Sequence, residues 1–65
     1  MKVKITIYRQ SGEFIQTDNW DNINTIQDVA DIIIGQNRGD IIVYQTDSVL
    51  IVKQKNTILK YEKLD

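Results

Sequence analysis

The chain has 65 residues and a mass of 7.6 kDa, is 42% hydrophobic and 26% charged, and carries a formal charge of −1. It contains no Cys, His or Pro, which excludes disulfides, thiolate or imidazole metal sites and the commonest general base. A chain this short reads as one domain, 1–65. Such a domain buries only about 60% of the surface its unfolded chain exposes, so the fold stands on packing alone or on packing plus a second chain.

Ile occurs twelve times, against three Leu and one Ala, and this β-branched excess leans the composition toward sheet. The start, MKVKITIY, lacks the apolar run of a signal peptide, and no stretch approaches the roughly 18 apolar residues of a membrane span. The expected setting is therefore the cytoplasm, with no membrane contact. Charge is unevenly spread: +3 over residues 1–12, −5 over 13–37 and +1 over 38–65. An acidic middle lies between two basic flanks.

Residues 2–8 alternate strictly, with Val3, Ile5 and Ile7 on one side and Lys2, Lys4, Thr6 and Tyr8 on the other, as in a half-buried strand. Gln10-Ser11-Gly12 suits a three-residue hairpin loop with Gly12 left-handed. That loop pairs Ile7 with Ile15, Tyr8 with Phe14 and Lys4 with Asp18. A two-residue loop pairs Ile7 with Gln16 and Ile5 with Asp18 instead. The first register keeps an apolar face and matches opposite charges, so it is the expected one.

Residues 18–24, DNWDNIN, read as a turn or loop rich in Asn and Asp. Thr25 then caps a helix, with Asp28 three residues on, and Ile26, Val29, Ala30 and Ile33 recur on one helical face. Gly35 reads as the stop. Three strand-like runs follow at 41–45, 49–53 and 57–61, joined tightly enough to form an antiparallel meander. A turn at Thr46-Asp47 pairs Asp40 with Lys53 and Val43 with Leu50. One meander face then holds Ile41, Val43, Leu50, Val52 and Ile58, and the other Ile42, Tyr44, Val49, Ile51, Leu59 and Tyr61. Both faces are apolar and one helix covers only one. The second face is expected to meet the N-terminal hairpin as a curled sheet, or another molecule. The fold class is α+β, in the order ββαβββ.

The run KITIYRQSGEFIQ, followed after a linker by TIQDVADIII, is similar in order to the β-grasp (ubiquitin-like) arrangement over the first half of the chain. The tightly joined last strands depart from that arrangement, and no function is carried over from it.

Without His or Cys, no residue set points to acid–base or nucleophilic chemistry, so a non-catalytic protein without cofactor is expected. From Asp18 an EF-hand would need an acid or amide where Trp20 stands, so Asp18, Asp21, Asn22 and Asn24 read as a turn. Arg38-Gly39-Asp40 reads as a loop entering a strand. Lys2, Lys4, Lys53, Lys55, Lys60 and Lys63 with Tyr8 or Tyr61 suit single-stranded nucleic acid, but a pI of 5.2 and only two Arg weigh against it. Asp18, Asp21, Asp28 and Asp31 form an acidic face for a basic partner, or simply a solvated helix side. Tyr8, Phe14 and Trp20 read as a partner-binding patch on the hairpin face opposite Val3, Ile5 and Ile7. The alternative is a Tyr8–Phe14 cross-strand pair with Trp20 folded over the core. Ile42, Tyr44, Val49, Ile51, Leu59 and Tyr61 are the expected interface of a homodimer.

The functional expectation is a non-catalytic protein–protein interaction module: an adaptor, regulator or inhibitor that binds itself and another protein. Its Ile-, Asn- and Lys-rich composition fits a phage or mobile-element accessory product. A single-stranded nucleic-acid-binding β domain and a self-assembling structural unit are the alternatives.

Overall fold

A computed structural model describes residues 1–64. Its elements in chain order are β1 (Val3–Arg9), β2 (Phe14–Trp20), α1 (Ile26–Gly35), β3 (Ile41–Gln45), β4 (Val49–Lys53) and β5 (Thr57–Lys63). The strands form a single sheet in the order β2-β1-β5-β4-β3, every neighbouring pair antiparallel. The α+β order ββαβββ is therefore as expected. The hairpin, however, does not curl over the meander. Strand β1 pairs side by side with β5 from Val3↔Lys63 to Arg9↔Thr57, so the hairpin widens the sheet and covers neither face. Strand β5 does lie beside β1, but it arrives through hairpins and runs antiparallel.

The first hairpin opens as its loop chemistry dictates. Gly12 is left-handed at φ 96°. Its N–H donates to Arg9 O at 2.8 Å, and Arg9 N–H donates to Glu13 O at 2.8 Å. Tyr8 pairs with Phe14, but Ile15 then bulges, and the strand continues as Ile7↔Gln16, Ile5↔Asp18, Lys4↔Asn19 and Val3↔Trp20. The expected Ile7–Ile15 and Lys4–Asp18 pairs are thus corrected. The extra residue re-phases β2, placing Trp20 on the α1 side while Phe14 stays on the other.

A second bulge, at Val43, corrects the meander register. Ile41 pairs with Lys53 and Ile42 with Val52, but Tyr44 pairs with Ile51 and Gln45 with Leu50. The turn falls one residue later than expected. Thr46 N–H donates to Val49 O at 2.8 Å, while its Oγ1 accepts from the N–H groups of Ser48 and Val49 at 3.1 and 3.0 Å. That hydroxyl stabilises a loop of Asp47 and Ser48, displacing the Thr46-Asp47 turn.

The helix starts where its cap predicts. Thr25 is extended at φ −143°, its Oγ1 accepts from Asp28 N–H at 3.1 Å, and Asp28 Oδ2 accepts from Thr25 N–H at 3.2 Å. Replacing Thr25 by Ala should lower stability by about 1 kcal/mol in urea unfolding, and Thr25→Ser should recover most of it. Gly35 proves to be the last helical residue, and Asn37, at φ 51°, takes the left-handed position expected of Gly35. Asn does this at modest steric penalty and lets the helix keep its last turn.

Ile26, Val29, Ala30 and Ile33 pack α1 onto Val3, Ile5, Leu50, Val52 and Tyr61, with Ile23 closing one end. The N-terminal ammonium of Met1 donates to Ile23 O at 2.7 Å and ties the chain start to that end. At the opposite end, Gln10 Nε2 donates to the carbonyls of Gln54 and Lys55 at 3.0 and 2.6 Å, latching the β1–β2 loop to the β4–β5 turn.

Candidate functional site

The one helix lies on one side of the five-stranded sheet, and among the described residues nothing lies over the other face. Side-chain alternation and the observed registers decide what that face carries. One row crosses it as Phe14, Tyr8, Ile58, Lys53 and Ile41. The next crosses as Thr17, Thr6, Lys60, Ile51 and Tyr44, and the third as Asn19, Lys4, Glu62 and Val49. Phe14, Ile41 and Tyr44 are 58, 58 and 54% exposed, and Tyr8, Val49, Ile51 and Ile58 are half-buried among their neighbours. Tyr8 and Phe14 meet edge to face at 6.5 Å and 73°, the favoured aromatic geometry for a cross-strand pair. Lys60 Nζ lies 3.7 Å from a Glu62 carboxylate oxygen, an exposed pair worth little in stability. With Lys4 and Lys53, the face carries three lysines against one glutamate.

This placement redistributes the expected site residues. Of Tyr8, Phe14 and Trp20, the first two share the uncovered face. Trp20 turns to the α1 side, where its ring lies 6.2 Å from that of Tyr61. The six residues expected to form one interface are also divided. Tyr44, Val49 and Ile51 lie on the uncovered face, while Ile42, Leu59 and Tyr61 pack toward α1. The cause is the phase of β3 and β4, in which Leu50 and Val52 rather than Val49 and Ile51 face the helix. The four acids do not gather either. Asp28 is occupied by the cap, and Asp31 accepts from Gln27 Nε2 at 2.9 Å. Gln27 in turn is bonded to Gln45 of β3, whereas Asp18 sits on β2 at the opposite sheet edge. Within Arg38-Gly39-Asp40, Arg38 and Asp40 pair at 3.8 Å, and Asp40 also accepts from Gln54 Nε2 at 3.2 Å. The tripeptide thereby anchors the entry to β3.

On the α1 side, an open groove of about 280 Å³ runs between β2 and the end of the helix. Ile5, Ile33, Leu59, Trp20 and Tyr61 form its walls, with Asp18 and Arg38 at the rim. Burial pushes the Tyr61 phenol above its usual 10.0, with Asp40 adding to the rise and Arg38 opposing it. A raised phenol favours folding fully below pH 10 and loses that contribution as pH climbs through the folded-state value, since the unfolded phenol ionises first.

Ile58 and Ile41 belong to the uncovered face, although the sequence pattern groups them with Leu50 and Val52. The alternation Ile58, Lys60, Glu62 in β5 is the signal that marks a half-solvated face there. Among the described residues, no helix is long and apolar enough to cross a membrane. Set against protein-family models, curated proteins and solved structures, the chain shows no match.

Proposed function

We propose that the protein is a non-catalytic protein-binding module whose helix-free sheet face docks a partner bearing an apolar patch rimmed by carboxylates. One observation carries this reading: Tyr8, Phe14, Ile41, Tyr44, Ile51 and Ile58 share an uncovered face whose charges are three lysines and one glutamate. Exposed apolar side chains interleaved with lysines on one open face mark a surface that binds. Tyr8, Phe14 and Tyr44 add the exposed aromatic area in which binding surfaces are enriched. The lysines favour an acidic partner and oppose face-to-face stacking of two copies, which would bring Lys4, Lys53 and Lys60 together. Single-stranded nucleic acid is the weaker reading. Aliphatic Ile51 and Ile58 flank Lys60 where bases would stack, Glu62 stands in the phosphate path, and the chain is net acidic. A cytoplasmic setting fits this role, and the Ile-, Asn- and Lys-rich composition supports a phage or mobile-element origin.

The test is capture by the immobilised chain from host lysate, compared across variants. The wild type should retain a discrete protein that Ile58→Asp and Lys60→Glu both lose and that Asp31→Lys keeps, with all chains showing native circular dichroism. Capture unaffected by Ile58→Asp, or salt-sensitive retention of single-stranded DNA or RNA that Tyr8→Ala abolishes, would sink the reading.

A further inference from the structure

We infer that the groove between β2 and the end of α1 binds a small zwitterion with an apolar body, chemically a free α-amino acid with an aromatic or branched side chain. Helix α1 packs on Leu50 and Val52 of β4 and leaves the β1–β2 flank of the same sheet face open. Across that flank Asp18, Ile5 and Tyr61 stand in one cross-strand row, and Ile7 and Leu59 in the next. Ile33 and the turn after the helix close the far side, where left-handed Asn37 brings Arg38 to the rim. The space of about 280 Å³ sits at the small end of ligand pockets, which start at roughly 300 Å³.

The Tyr61 hydroxyl points to a ligand. Tyr61 is only 6% exposed, and among the described residues its hydroxyl makes no hydrogen bond. Buried polar groups are nearly always partnered. Among the described residues no buried side-chain oxygen or nitrogen is left without a partner, so this hydroxyl must reach the groove that Tyr61 lines. Burial raises the phenol's pKa, so at neutral pH it is protonated and has a donor to offer. The Arg38 charge acts on the same phenol, which places hydroxyl and guanidinium at one end of the groove. Asp40 holds Arg38 only at 3.8 Å, and the Arg38 side chain is 61% exposed. Two such donors suit a carboxylate.

Asp18 supplies the opposite charge from β2. One of its oxygens accepts from Asn19 N–H at 2.8 Å, and among the described residues no base pairs with it. It suits an ammonium. A ligand with a single charge would leave the other rim charge facing an apolar body, so one charge of each sign is selected. The ligand's side chain then lies against Ile5, Ile7, Ile33 and Leu59, beside the Trp20 ring. A peptide terminus offers only one of the two charges, which favours the free amino acid.

Phenylalanine is the probe, because its emission is distinct from that of the single Trp and Trp20 forms a wall of the groove. Titrated into the wild-type chain, it should give a saturable change in Trp20 emission with a Kd on the order of 1 mM. Phenylalaninamide and 3-phenylpropionate, each lacking one charge, should bind at least about tenfold more weakly. Tyr61→Phe, which keeps the ring, should weaken phenylalanine binding about fivefold. Asp18→Asn should erase the preference over 3-phenylpropionate, and Arg38→Gln that over phenylalaninamide, both with native circular dichroism. No saturable change up to about twenty times that Kd, equal binding of the three compounds, or wild-type affinity in Tyr61→Phe would overturn the assignment. The comparison of compounds needs no variant, and none of these outcomes depends on the partner capture described above.

Discussion

Leu50→Ala should destabilise the fold by about 3 kcal/mol, while Ile51→Ala, one residue along the same strand, should cost only about 1 kcal/mol. Leu50 is 0% exposed, lies opposite Tyr61 and packs in the core beneath α1. Its removal leaves a cavity walled by a helix and a sheet that cannot close together without disturbing Val29, Val3 and Val52. Ile51 is half-buried on the face that nothing covers, so truncation there returns surface to water without opening a void. A 65-residue domain has on the order of 3–10 kcal/mol of stability in total. Leu50→Ala therefore removes a large share of it, equivalent to a drop in Tm of roughly 12–24 °C at about 4–8 °C per kcal/mol. Urea unfolding of the two variants side by side reads the difference directly. Equal losses would mean that β4 presents both residues to comparable surroundings, and the assignment of a covered and an open face would fail.

The parts of this architecture that were legible in the sequence are those where one periodicity had no competitor. Strand β1 alternates in sequence, so its inward set of Val3, Ile5 and Ile7 follows from the residues alone, while the burial of Thr6 on the other side comes from its neighbours across the sheet. The helix carries a cap, a reciprocal acid and an apolar stripe that agree with each other, and Ile26, Val29, Ala30 and Ile33 are all buried. The meander was legible as strands but not as faces. Ile41-Ile42-Val43-Tyr44 and Val49-Leu50-Ile51-Val52 are apolar at both parities, and a run that satisfies either phase specifies neither. The helix decides the phase by packing on Leu50 and Val52, a tertiary contact with no local signature. The candidate site inherits that ambiguity. Loop geometry fixes the Tyr8–Phe14 pair, but the sequence pattern groups Tyr44, Val49 and Ile51 with Ile42, Leu59 and Tyr61, from which a sheet thickness separates them. Strand β2 was the least legible. Between Phe14-Ile15 and Trp20 its residues are Gln, Thr, Asp and Asn, so nothing in the strand interior pins its register and a bulge is free to settle it.

That bulge makes a result expected that runs against the usual effect of length changes in a strand. Inserting one Ala after Asp18 should destabilise the protein by about 2 kcal/mol and shift tryptophan emission to the red, whereas deleting Ile15 should leave emission unchanged and cost under about 1 kcal/mol. In a regular strand Phe14 and Trp20, an even number of residues apart, would share a face. In the protein they lie on opposite faces, Phe14 against Tyr8 and Trp20 over Tyr61, because Ile15 is accommodated without a partner. Deleting Ile15 makes the spacing odd and keeps Tyr8↔Phe14, Ile7↔Gln16 and Val3↔Trp20 in an unbroken ladder. An inserted residue makes the spacing odd again while the bulge persists. The strand must then either take up a second bulge or turn its tryptophan out of contact with Tyr61 into water. The chain has a single Trp, so emission reports this one position. A red shift on deleting Ile15, with none on insertion, would show that the bulge does not set the phase of β2 and that Trp20 is held on the α1 side by something other than register.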